Sequence, residues 1–140
     1  MNEMLKLENQ LCFPLYACAK EVVRRYMPLL EPLGLTYTQY LAMMVMWEHK
    51  SISVKDMSKL LYLDSGTLTP MLKKMEIAGL ITRKRSSQDE RMVIISITAR
   101  GEGLQEKAAE IPVKIAGCLT LDSDEAMQLY TLLHKLMKTF

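Results

Sequence analysis

Apolar positions in this 140-residue chain recur at helical spacing over most of its length and switch to partial two-residue alternation in one stretch. From Lys6 to Leu30, Leu11, Leu15, Val22 and Tyr26 fall on helical intervals before "PLLEPLGL" breaks the pattern. This predicts a long first helix and a turn. Thr36 caps a second helix over "TQYLAMMVMWEH", because its side-chain oxygen can accept from a backbone N–H left free at a helix start. The methionines there read as adaptable core filling. "SISVKDMSKLLYL" predicts a short extended segment, then a small helix capped by Ser53 with Val54, Met57, Leu60 and Leu61 on one face. After a brief break, "DSGTLTPMLKKMEIAGL" offers Asp64 or Ser65 as a cap, carries Leu68, Met71, Leu72 and Met75 at helical spacing, and stops at Gly79.

Two short helices across a tight turn are the helix-turn-helix arrangement. "LITRKR" and "RMVIISIT" are β-branched and partly alternating, with loop chemistry in "SSQDE" between them, so a β-hairpin follows directly as a wing. From Thr98 helical character returns through Leu104, Ala108, Ile111 and Ile115. A last helix, capped by Asp122 or Ser123, carries Leu129, Leu132, Leu133, Leu136 and Phe140. Such a stripe must be buried, and a second copy of the chain is the economical partner. The expected fold is mainly α with a small β wing. Residues 1–140 form one domain, with 36–97 as the winged helix-turn-helix and 1–35 and 98–140 as helical dimerisation parts.

A formal charge of +2 says little until its distribution is read. Between Lys59 and Arg91 seven basic residues face four acidic ones, which concentrates positive charge in the middle, as a polyanion-binding surface requires. The start "MNEMLKLENQ" lacks the basic-then-apolar order of a secretory signal, and the longest apolar run, Tyr40 to Trp47, is far below the ~20 residues of a membrane span. A cytoplasmic protein is expected. Three cysteines, Cys12, Cys18 and Cys118, an odd number, argue against a structural disulfide framework, and each thiol is expected to be reduced at rest. His49 and His134 are isolated and no cysteine pair has zinc spacing, so neither a metal nor a cofactor is expected.

The second helix of the pair is placed to enter a major groove. Ser65, Thr67 and Thr69 are short donors and acceptors suited to base edges, and Lys73 and Lys74 suit phosphate. Arg83, Lys84 and Arg85 lie on the first wing strand. Arg91 leaves the wing tip, where an arginine can enter a minor groove, and Asp89 would orient it by a charge-assisted hydrogen bond. The expected partner is double-stranded operator DNA, pseudo-palindromic because a dimer reads it.

The order of elements and the wing segment "DERMVIISIT" resemble the MarR family of winged-helix regulators over nearly the whole chain. "LENQLCFPLYA", "LTYTQYLAMMVMWEH" and "LYLDSGTLTPMLKKME" are more specific, and are similar to the organic-hydroperoxide-sensing repressors of that family. The resemblance implies that Cys12 is the peroxide sensor. It further implies that Tyr26 and Tyr37 bond its sulfur, with Tyr16 a third tyrosine nearby. Cys118 then corresponds to the resolving cysteine of two-cysteine members, which pairs with the sensor across the dimer; a plain buried cysteine in place of an alanine is the other reading. Pro14 departs from the pattern. Proline lacks an N–H and clashes with the carbonyl of Gln10, so the helix is expected to begin late or kink beside the sulfur.

A thiol attacks peroxide as thiolate, and an unperturbed cysteine at pKa ~8.5 is mostly protonated near neutrality. No cation neighbours Cys12 closely in sequence, so tyrosine hydroxyls are the sensible donors to the anion. Apolar Phe13 and Leu15 favour an organic hydroperoxide over hydrogen peroxide. Cys18 lies about 9 Å further along the same helix, beyond the ~7 Å Cα limit for a bridge. The expected function is a repressor that binds DNA when reduced and is released by oxidation of Cys12. A regulator released by a small phenolic ligand and a thiol peroxidase are the competing readings.

Overall fold

The computed structural model describes all 140 residues. Seven α-helices and three short strands follow in the order α1 (Cys12–Leu30), α2 (Tyr37–His49), β1 (Ser51–Ser53), α3 (Val54–Leu61), α4 (Ser65–Ile77), β2 (Ile81–Arg85), β3 (Val93–Ile97), α5 (Ala99–Ala108), α6 (Ile111–Cys118) and α7 (Ser123–Met137). The strands form one antiparallel sheet, β1-β3-β2, in which Arg83 pairs with Ile95 and Ile52 with the same Ile95 from the other side. The extended segment expected before the third helix is thus the third strand of the wing.

Polar caps set the helix starts. Thr36 accepts from the Gln39 backbone N–H while Gln39 reaches back to Thr36, a reciprocal capping box, and Asp122 and Glu125 repeat it on α7. Ser53 accepts from Asp56 N–H. Asp64, not Ser65, caps α4 by accepting from Thr67 N–H at 2.7 Å, which leaves Ser65 free in the first turn. Gly79, at φ +79°, supplies the left-handed residue that ends α4.

Of the two alternatives at Pro14 the late start holds, and one further expectation is corrected. The first helix begins at Cys12 rather than Lys6, because a helix running further back would need an N–H from Pro14 to the Gln10 carbonyl. Ahead of it, Glu3–Leu5 and Leu7–Asn9 are short 3₁₀ turns, held by Asn9 donating to the Glu3 carbonyl and Gln10 to those of Met4 and Lys6. Pro14 therefore sits in a first turn, where a missing N–H costs little. The helix after Thr98 is also two helices. Pro112 offers no N–H to Ala108, and the chain breaks between α5 and α6.

One core joins the elements: Leu30, Met43, Met46, Met57, Leu68, Leu72, Met75, Ile81 and Ile95 are almost fully buried, and Ala108, Ile111 and Ile115 extend it to α5 and α6. The terminal elements differ sharply. α1 buries only Leu30, and α7 buries nothing, so its apolar stripe, including Leu129, Leu132 and Leu136, faces outward from the chain. No helix is long and apolar enough to cross a membrane.

Candidate nucleic-acid interface and redox site

Ser65, Thr69 and Lys73 follow one another at four-residue steps, so they share one face of α4. Ser65 and Thr69 line a cleft of about 910 Å³ whose opposite walls are α3 and the wing, through Lys55, Lys59, Arg83, Asp89 and Arg91. Thr67, Lys73 and Lys74 are exposed beside it. Lys55 was missed in the sequence, and Lys59 was counted in the basic segment without being placed at the site, although their four-residue spacing opposite the apolar face of α3 was the available signal.

The wing arginines divide by role. Arg91 is 91% exposed, its Nε donates to Asp89 Oδ1 at 3.2 Å and its backbone N–H to the same oxygen at 3.0 Å. These bonds, the backbone one first, hold the Asp89 carboxyl below its usual pKa. The outer face of the guanidinium stays open, as a groove-entering arginine requires. Arg85 donates to the Glu90 carbonyl at 2.9 Å and so braces the tip. Arg83 is differently committed: its Nε and Nη2 reach Glu76 Oε1 at 3.3 and 3.2 Å, and its backbone N–H donates to Glu76 Oε2 at 3.0 Å. This pair fastens β2 to α4, so Arg83 fixes the angle between wing and helix.

Cys12, Cys18 and Cys118 are all exposed free thiols. Cys12 opens α1, where first-turn N–H groups and the helix dipole favour an anion. Tyr16, one turn further on, is exposed. Tyr26 lies fourteen residues along the same helix, about 21 Å away at 1.5 Å per residue. It packs against Tyr37 at 4.8 Å and Tyr40 at 5.7 Å between ring centroids. Burial raises the Tyr26 pKa first, and the neighbouring phenols Tyr37 and Tyr40 add to it; burial likewise raises Tyr37, and burial with Tyr37 raises Tyr40. All three remain neutral O–H donors at physiological pH. The structure brings Tyr26 and Tyr37 together but separates them from Cys12 of their own chain.

Cys118 closes α6. The other end of α6 shares a cleft with Leu29 and Leu33, at the far end of α1 from Cys12. From Leu29 back to Cys12 is about 25 Å of helix, and α6 covers only about 10 Å, so Cys118 does not reach Cys12 of its own chain. No group of three or more His, Cys, Asp or Glu side chains is placed to hold a metal.

A helix-turn-helix with a basic wing beside an exposed recognition helix defines a winged-helix DNA-binding regulator. Residues 24–110 match the family model of the transcriptional regulators SarA/Rot. The chain is 54% identical over 135 residues to the organic hydroperoxide resistance transcriptional regulator of Bacillus subtilis, covering 96% of this chain and 92% of that one. Reduced AbfR bound to DNA, a Staphylococcus epidermidis protein, superposes with a TM-score of 0.84 at 34% identity over 99% of this chain and 94% of that one. Disulfide-formed AbfR gives 0.71 at the same identity, over 98% and 93%. The chain belongs to the MarR-like winged-helix transcription regulators, in the organic hydroperoxide resistance group. It is a regulator and not an enzyme, as its relatives are.

Proposed function

We propose that this protein is a homodimeric repressor that binds a pseudo-palindromic operator when reduced and leaves it when an organic hydroperoxide oxidises Cys12. The observation that carries this is Cys12 itself, an exposed free thiol opening a helix within an apolar terminal region. The similarity to the B. subtilis regulator supports the choice of signal.

The outward apolar faces of the N-terminal turns, α1 and α7 bury against a second copy, which sets two recognition helices about one DNA turn apart, ~34 to 36 Å. Ser65, Thr67 and Thr69 meet base edges. Lys73, Lys74 and Arg85 meet phosphate, and Arg91, held by Asp89, enters the flanking minor groove. Dimerisation also resolves the gap of about 21 Å along α1. Tyr26 and Tyr37 serve Cys12 of the partner subunit, donating O–H bonds that stabilise its thiolate.

The thiolate sulfur attacks the terminal oxygen of the hydroperoxide. An S–O bond forms as the O–O bond breaks, the alkoxide takes up a proton and leaves as the alcohol, and the cysteine loses two electrons to become a sulfenic acid. Condensation with the thiol of Cys118 from the partner subunit then forms an S–S bond and releases water. Phe13 and Leu7, which line a shallow groove at the start of α1, offer apolar contact to the alkyl group. The protein acts in the cytoplasm, where thiols are kept reduced at rest.

The test is operator release. DNA sites are selected from a random duplex library with reduced protein, and anisotropy is followed as cumene hydroperoxide is added. Wild type releases the DNA, whereas Cys12→Ser holds it. Release from Cys12→Ser at the wild-type dose would overturn the reading.

A further inference from the structure

The tyrosine cluster and the wing are joined by a continuous line of contacts. Tyr37 packs against Tyr40 at 6.4 Å between ring centroids, and Tyr40, 3% exposed, meets Trp47 edge-on at 6.4 Å. Trp47 Nε1 donates to the Gly101 carbonyl at 2.9 Å, the one side-chain hydrogen bond from α2 to α5. Gly101 in turn is pressed on the wing base. A Cβ built there would stand 2.4 Å from the Leu80 carbonyl oxygen, just before β2, and 2.8 Å from Ile97 Cγ1, at the end of β3. Near this junction Lys50, at φ +65°, accepts from Ile97 N–H through its carbonyl and pairs with Glu102 at 2.7 Å.

We propose that Trp47 is a positioning residue that transmits the state of the tyrosine cluster to the wing through its hydrogen bond to Gly101. This rests on the redox reading above and goes beyond it by naming the route. Helix α2 carries Tyr37 near its start and Trp47 near its end, so a displacement of α2 when the sulfur changes partners is delivered at Gly101. Because no side chain separates Gly101 from the Leu80 backbone, its motion passes directly to β2 and β3. The donor matters as well as the ring: a phenylalanine keeps an aromatic ring but gives up part of the indole volume together with the N–H, leaving the Gly101 carbonyl without its partner.

Trp47 is the single tryptophan, so the intact protein reports on it directly. Tryptophan emission, DNA anisotropy and intact mass are followed together after adding cumene hydroperoxide to the DNA complex. The emission is expected to change with the rate constant of DNA release. Oxidised Cys12 and released DNA with a steady emission spectrum would overturn the route alone, whereas an unmodified Cys12 would overturn the redox reading beneath it. In Trp47→Phe, reduced DNA binding and the oxidation rate of Cys12 stay as in wild type, while the ratio of oxidised to reduced Kd falls at least about fivefold, the lower end of typical coupling between sites. An unchanged ratio would also overturn the proposal. Should that variant fail to fold, the wild-type emission decides.

Discussion

Gly101→Ala and Gly103→Ala, two residues apart on α5, are expected to move stability in opposite directions. Replacing glycine with alanine inside a helix gains about 1 kcal/mol from propensity. At Gly103 nothing lies within 4 Å of the added methyl, so that gain stands. At Gly101 the methyl would lie 2.4 Å from a backbone oxygen that no rotamer can move. Restoring ordinary contact requires α5 to back away by about 1 Å from the wing base, against tight packing. Overpacking of this kind costs about 1 to 3 kcal/mol, and a backbone obstacle places it at the upper end, so Gly101→Ala is net destabilising by about 1 to 2 kcal/mol. Thermal unfolding at fixed protein concentration reads the result, with each kcal/mol worth about 2 to 4 °C in domains slightly larger than this one. Gly103→Ala melts higher than wild type and Gly101→Ala lower. A Gly101→Ala protein as stable as Gly103→Ala would refute the packing argument and, with it, the rigid contact between α5 and the wing.

Arg91→Ala should weaken operator binding by about 1 to 3 kcal/mol and flatten its salt dependence, measured by anisotropy across salt concentrations, with Asp89→Asn giving a smaller loss. Asp89 has its folded pKa below 3.8, so its contribution is complete above that value and is lost as pH falls through the lower folded one. DNA binding near neutrality should therefore be insensitive to Asp89 titration, and a binding step there that vanished in Asp89→Asn would contradict this. In a double-mutant cycle Glu76→Ala and Arg83→Ala should couple by about 1 kcal/mol in urea unfolding, since the pair is partly open to solvent. Additive losses would show that the clamp does not fasten the wing. Tyr26, Tyr37 and Tyr40 have folded pKa values raised above 10, so stability holds below that pH and falls as the unfolded phenols ionise first. Alkaline absorbance titration should show at least three of the six tyrosines lagging until unfolding, rather than all ionising together.

Much of the architecture was legible because periodicity and caps agreed. Leu68, Leu72 and Met75 fixed the buried face of α4, and the β-branched, partly alternating run in "RMVIISIT" gave the hairpin, whose Ile95 the structure places in the core. An error arose where one local feature overrode the period: Pro112 removed a backbone donor and split the helix after Thr98, although the apolar spacing ran through it, whereas Pro14 was read as a proline that delays the start of α1. At the DNA face, Asp89 and Arg91 stood where their sequence spacing suggested. Arg83 did not act as an open basic residue, because its partner Glu76 lies on another element and only the fold reveals the pair. The contact between Trp47 and Gly101 spans 54 residues and left no local trace. The distance between Cys12 and Tyr26 was implicit in a single helix that carries both residues.

The central claim, that oxidation of Cys12 switches off DNA binding, is tested most directly by intact-mass spectrometry and DNA binding on the same sample. Reduced protein receives one equivalent of cumene hydroperoxide per chain and is analysed without reductant. The account predicts DNA release in proportion to a covalent dimer joined through Cys12 and Cys118, with Cys118→Ser stopping at oxidised monomer. Full DNA release while Cys12 keeps its reduced mass, or a fully oxidised Cys12 on protein that still holds its operator, would contradict it.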